Sequence, residues 1–306
     1  VSLDTARTAT AKAAAGTARP WLGFAAGAGA AIIWGVQAVV SRQSAADGLT
    51  SVDVTVLRFL TAAVVLMPFA LMRLRPFPVG RIGWRKAAIL TLFGGAPFAA
   101  MLVGGSTFAP ALHTAVVAPG LIPVITAALA FLTLGEKTPA GRLIGLGLIL
   151  SGIVVFAGPG LVGGGTAGAW RGDLMFVTAA VMWSVFSILA KRWEADALDL
   201  TITLSILSLV LLPLMVLAVP LRIGSAALGA LVLQALYQGL LVGVVSVFLY
   251  ASANQILGAA RATLFLPLVP AVAAIAGAVL IGEWPSPAEI AGMLMVMTGM
   301  TVALRA

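Results

Sequence analysis

Residues 111–137 read ALHTAVVAPGLIPVITAALAFLTLGEK. No lysine, arginine or carboxylate interrupts the run before Glu136. At about 1.5 Å per residue, a helix of this length outspans a hydrocarbon core of about 30 Å. Pro119, Gly120 and Pro123 lie inside it, and Leu134-Gly135-Glu136 followed by Thr138-Pro139 reads as one helix ending and another starting from a cap. Residues 258–285, GAARATLFLPLVPAVAAIAGAVLIGEWP, write the same unit 147 positions later. Leu121-Ile122-Pro123 falls on Leu268-Val269-Pro270, and Gly135-Glu136 on Gly282-Glu283. The chain therefore carries one apolar unit twice, and the remaining segments can be placed around the pair.

Composition narrows the class. Of 306 residues, 61% are hydrophobic and 9% charged, where soluble domains carry about 25% charged residues. Helices this poor in polar side chains have no face to offer water, so a polytopic membrane protein is expected. There is no cysteine, which removes cysteine-ligated metal and iron–sulfur sites, and one histidine with ten carboxylates leaves little for any other metal. No cofactor is expected. A net charge of +8 would suit nucleic acid in a soluble chain; here it fits basic loops on the cytoplasmic side, and no nucleic-acid partner is expected. Residues 1–20, small, polar and basic, read as a disordered cytoplasmic tail.

Ten apolar spans follow, near residues 21–40, 52–72, 87–107, 110–134, 139–157, 173–190, 200–219, 225–251, 259–281 and 287–304. Arg42 and Asp47 fall in the loop after the first, and Asp173 opens the sixth, where it suits a helix dipole. The glycine-rich stretch 159–169 divides the chain into a first unit, 21–158, and a second, 170–304. No GK[ST] follows that stretch, so it is not a phosphate loop. Ser286, Pro287 and Glu289 form a helix start: a cap, a first-turn proline and an acid three residues on. With the N-terminus inside, 14 lysines and arginines lie inside, 3 outside and Arg58 within the membrane, which places both termini in the cytoplasm. Ala31-Ile32-Ile33-Trp34 matches Ala180-Val181-Met182-Trp183, and Pro68 matches Pro213. Five spans per unit is odd, so the second unit enters from the opposite side. This is the inverted repeat of a secondary transporter.

The Ala30-Ala31-Ile32-Ile33-Trp34-Gly35 run, Leu57-Arg58-Phe59, the twice-written Leu-x-Pro segment and the paired Gly-Glu ends resemble the EamA branch of the drug/metabolite transporter superfamily. The resemblance covers nearly the whole chain. It implies an all-α basket of ten transmembrane helices, with helices 1, 3, 4, 6, 8 and 9 around a central cavity and helices 5 and 10 at the periphery. It also implies a bacterial inner-membrane location and export of small metabolites. Within the branch, the chain looks like the aromatic amino acid exporters, and a monomer is the working expectation.

Candidate residues carry two readings each. Arg58, a charge inside an apolar span, either meets a substrate carboxylate or anchors structure, with its stem snorkelling outward. His113, near the outer end of the fourth span, either carries a proton or is a satisfied pore-lining or packing residue, and with Arg58 it counts among the substrate-cavity candidates. Glu136 and Glu283 cap helices or pair with Lys137 and neighbouring loops. Pro119, Pro123, Pro267 and Pro270 free backbone carbonyls where helices 4 and 9 kink, which either seat a zwitterion or shape the fold. Gly94, Gly95, Gly104 and Gly105 allow close packing. Trp34, Gln37, Trp183, Tyr237, Gln238, Tyr250, Asn254 and Gln255 are candidate cavity residues, because rings with a few hydrogen-bonding groups suit an aromatic or hydrophobic amino acid. Trp21, Trp84, Trp170 and Trp193 fit interface anchors. A multidrug exporter is the alternative, disfavoured because no carboxylate lies mid-span. A lipid-substrate enzyme lacks a cluster of acids, histidines or nucleophiles, and a channel would need a continuous open path.

Overall fold

A computed structural model describes residues 20–161, 166 and 168–305. The expected tail lies outside these residues, apart from Pro20. Among the described residues, ten helices are long and apolar enough to cross a membrane. We label them α1 (Pro20–Ala46), α2 (Ser51–Arg73), α3 (Trp84–Phe108), α4 (Ala111–Leu134), α5 (Ala140–Leu161), α6 (Ala169–Arg192), α7 (Ala197–Ala218), α8 (Leu228–Leu257), α9 (Thr263–Ile281) and α10 (Pro287–Arg305). Their outer faces are aliphatic: Leu217 is 83% exposed and Leu132 76%. Such a belt is tolerable only against lipid.

The helices pair by close backbone approach. α5 packs mainly on α10, α1 on α8 and α9, α6 on α3 and α4, and α2 on α7 and α8. Gly145 and Gly152 on α5 face Gly299 and Gly292 on α10. Seven residues are close to two helical turns, so each pair of glycines shares one face. A Cβ on Gly152 would lie 2.8 Å from the Gly292 carbonyl oxygen, and one on Gly145 would lie 2.5 Å from the Ala303 nitrogen. The two helices run antiparallel, as do α2 and α7, where Arg73 at the end of α2 pairs with Asp196 and Asp199 at the start of α7. α3 lies equally close to α6. A Cβ on Gly105 would lie 2.3 Å from the Phe176 ring and one on Gly104 would lie 2.4 Å from Met175 Cε. The largest core cluster joins α1, α4, α5, α6, α9 and α10 around Val116, Ile149, Phe156, Phe176 and Val296.

Several boundaries differ from the sequence reading. α1 runs on to Ala46, so Arg42 belongs to a helix rather than to a loop. α5 extends to Leu161 and α6 starts at Ala169, which shortens the expected linker; residues 162–165 and 167 of it lie outside the described residues. α3 consists of two helices, Trp84–Gly94 and Ala96–Phe108, broken at Gly95. Pro97 has no N–H to continue the ladder, and the Ala96 N–H is taken instead by Ser208 Oγ of α7 at 3.0 Å. α8 is regular at both ends but passes through a π-helical stretch, Ala235–Val245. Such stretches are rare and recur at functional sites.

Candidate functional site

The ring and amide candidates fall along two seams. On the α1–α8 seam, Trp34 meets Tyr250 at 5.3 Å between ring centroids. The Tyr237 hydroxyl donates to the Ile33 carbonyl at 3.0 Å, and Gln238 Nε2 donates to Ser41 Oγ at 2.9 Å. Gln234, which sequence reasoning passed over, donates to the Val40 carbonyl at 2.9 Å. Gln234, immediately before the π-helical stretch, and Gln238 within it therefore present two amides to adjacent residues of α1. Gln37 is buried on α1, Asn254 is half-buried in the last turn of α8, and Gln255 is exposed. On the seam between α6 and α3, Trp183 lies 4.8 Å from Phe98 and 4.8 Å from Phe186. Trp34 and Trp183 thus sit in separate ring clusters.

The proline pairs behave differently from each other. α4 remains one helix through Pro119 and Pro123, and Ser184 Oγ of α6 donates to the Ile122 carbonyl at 3.2 Å. Before Pro267 and Pro270 the chain tightens into a 3₁₀ turn, Thr263–Phe265. There the Leu266 N–H takes the Thr263 carbonyl and the Val269 N–H takes the Leu266 carbonyl, both at 3.1 Å. The expectation that prolines free carbonyls on α9 is therefore wrong: each carbonyl loses its partner four residues on and gains one three residues on.

The Arg58 carbonyl oxygen lies at the α2–α8 contact, 3.1 Å from where a Cβ on Gly239 would stand. Its Nη1 is buried without a hydrogen-bond partner, as are Gln234 Oε1, Gln238 Oε1 and Thr126 Oγ1. The guanidinium carbon sits 5.7 Å from the centre of the Phe59 ring. One unsatisfied donor and two unsatisfied amide acceptors thus occur on two helices that pack together.

Charged groups gather at the two ends of the bundle. At the end holding the 46–51 and 108–111 connections, Arg42 Nε donates to Glu283 Oε1 at 2.8 Å. Arg42 Nη1 donates to the Ser106 and Thr107 carbonyls at 3.0 and 3.1 Å, capping the C-terminus of α3. Glu283 Oε2 accepts from the Ala111 N–H at 2.7 Å, capping the N-terminus of α4. Asp53 is buried, closes a capping box with Thr50 and accepts from the Arg222 N–H at 2.9 Å. At the opposite end, Lys191 donates to Glu136 at 2.8 Å, so Glu136 pairs with Lys191 rather than with Lys137.

His113 is buried and joins two carboxylates. Its Nδ1 lies 2.7 Å from Asp173 Oδ1 of α6, and its Nε2 lies 3.2 Å from Glu289 Oε1 of α10. The Phe156 ring of α5 stands edge-on at 4.7 Å. Glu289 also closes the expected capping box: its Oε2 accepts from the Ser286 N–H at 2.6 Å. Among the described residues, no His, Asp or Glu group has a metal-holding arrangement. Two cavities, of about 230 and 330 Å³, lie near Glu136 and near Arg222. Neither is lined by Trp34, Trp183 or Tyr250.

The sequence matches the EamA-like transporter family at residues 21–158 and again at 170–305. An uncharacterized protein of Pseudomonas aeruginosa is 29% identical over 259 residues, which cover 84% of this chain and 85% of that one. A protein of known crystal structure superposes with a TM-score of 0.62 at 19% identity, over 92% of this chain and 95% of that one.

Proposed function

Because the chain belongs to the EamA-like transporter family, we propose that this small-molecule transporter exports amino acids with aromatic or other hydrophobic side chains. It works by alternating access, with two inverted five-helix units rocking about a shared cleft. The observation that carries this reading is the exchange symmetry of the packing. Replacing each helix by the one five further along turns the α1–α8 seam into the α6–α3 seam, and α1–α9 into α6–α4. It leaves α2–α7 and α5–α10 as they are, and both of those pairs run antiparallel. The ring pairs obey the same exchange, Trp34 with Tyr250 and Trp183 with Phe98.

In this reading the two seams line the solute path. Trp34, Gln37, Tyr237, Gln238, Tyr250, Asn254 and Gln255 serve one wall and Trp183 the other. The unpaired donor of Arg58 meets the substrate carboxylate. His113 belongs to the outer end rather than to the path. Positive charge on the opposite end supports a bacterial inner-membrane orientation with both termini in the cytoplasm. The Arg42–Glu283 and His113 networks support a state closed toward the outside.

The test is efflux from proteoliposomes preloaded with labelled tryptophan, phenylalanine, leucine, glutamate or a quaternary ammonium drug. Flux of the aromatic and aliphatic amino acids above empty vesicles is the expected result. Flux of the drug alone would replace the substrate assignment. No flux of any solute would remove the reading.

A further inference from the structure

His113, Asp173 and Glu289 come from three helices, and the contact crosses the two matched regions: His113 lies in 21–158, both carboxylates in 170–305. The proton inventory is fixed by chemistry. A carboxylate only accepts, and a neutral imidazole has one donor and one acceptor nitrogen. Both N···O contacts are therefore hydrogen bonds only when two protons are shared among the three groups. With one proton, a ring lone pair faces a carboxylate lone pair and one of the bridges from α4 is lost.

We propose that this triad is a proton-binding latch that holds its end of the bundle shut. The proposal rests on the alternating-access reading above, in which that end faces outward. Opening it must part α4 from α6 and α10, so the latch joins the elements that have to separate. Protons bind from the outer solution: acid outside keeps the end closed, and loss of one proton releases it.

The charged neighbours are accounted for. Among the described residues, α5 brings the Phe156 ring, and α3 the neutral Ser106, whose Oγ lies 2.9 Å from Thr114 Oγ1. From α1 and the end of α9, Arg42 and Glu283 pair with each other, and Glu283 holds the Ala111 N–H two residues from the histidine. Arg171 is exposed near the start of α6, with its guanidinium carbon 5.6 Å from the centre of the Trp170 ring. The latch therefore stands beside a second clasp, the Arg42–Glu283 ion pair.

The experiment uses the absence of native cysteine. Phe108 and Ile290 are exposed, and Phe108→Cys with Ile290→Cys places one spin label beside α4 and one on α10. The distance between them is read in lipid vesicles at about pH 5.5, about pH 8.5 and about pH 10.5, a series that runs well past the ordinary imidazole range. A single short distance in acid, with a longer population growing in base, is expected. His113→Gln, which keeps one donor and removes the titration, is expected to show the same distribution at all three values. Asp173→Asn and Glu289→Gln each remove one acceptor and are expected to shrink the response; either serves if the histidine variant folds poorly. A distribution insensitive to pH in the parent protein, or an unchanged response in His113→Gln, overturns the latch. The readout is a distance, so it stands or falls separately from flux: a responsive distance in a protein that moves no solute leaves the latch and removes the transport reading.

Discussion

Arg42 and Glu283 stand 241 positions apart in the chain and meet at 2.8 Å, and each also caps a further helix, α3 and α4 respectively. The guanidinium covers the last carbonyls of α3, and the carboxylate covers the first N–H of α4. Both side chains are about a quarter exposed, so solvent screens their attraction.

Charge reversal is therefore expected to fail. Arg42→Glu with Glu283→Arg restores an ion pair but sets a carboxylate against the Ser106 and Thr107 carbonyls and a cation against the Ala111 N–H. Each single neutral variant should cost about 1–3 kcal/mol through the group left unpaired. Thermal unfolding in detergent should show the double reversal no more stable than the worse single variant. Recovery to the parent value would mean that the caps contribute nothing.

The α5–α10 contact sets glycine against glycine. Gly152→Leu places a side chain against the backbone of Gly292 and Val296 and is expected to cost at least about 1–3 kcal/mol by overpacking. Gly147, on the same helix, has nothing within 4 Å of a built Cβ. Gly147→Ala should be neutral or stabilising, by up to about 1 kcal/mol of helix propensity. Equal melting temperatures for the two variants would show that the close approach is not required.

Trp34→Ala and Trp183→Ala are expected to lower efflux more than they lower folded yield, because each ring lies on one of the two seams assigned to the path. Trp34→Phe keeps a ring near Tyr250 and should keep more of the flux. Parent-level efflux in both alanine variants would take the two tryptophans off the path.

Arg58→Met separates stability from transport. Removing a guanidinium whose Nη1 has no partner is expected to leave the melting temperature unchanged or raise it. Efflux of amino acids should fall at least about tenfold, the loss of one charge-assisted contact worth about 1.4 kcal/mol or more. Loss of stability with unchanged flux would make Arg58 an anchor instead.

The spans were legible because a helix in lipid must be apolar for about 20 residues, and little else in the sequence imitates that length. The triad was not legible, for a definite reason. Asp173 near a helix start and Glu289 in a capping box each had a complete local explanation, and the box is present. Only packing reveals that the second oxygen of Glu289 and the carboxylate of Asp173 have the same imidazole as partner. The break in α3 had a visible signal, Gly94-Gly95-Ala96-Pro97, but the hydroxyl that makes it tolerable sits on α7, 112 positions away. The π-helical stretch left no mark, since its residues, ALYQGLLVGVV, are ordinary for a membrane span. The α9 prolines misled because a missing N–H was read as a freed carbonyl.

The π-helical stretch has a mechanical corollary. Its hydrogen bonds close around one residue more than those of an α-helix, so drawing that surplus out rotates everything on one side of it by about 100°. Gln234, Tyr237 and Gln238 would leave α1 together, as teeth on one gear, while the Tyr250 ring held its place against Trp34. Drawn out in this way, the surplus would let the α1–α8 seam part by a turn of α8 about its own axis as the two units rock.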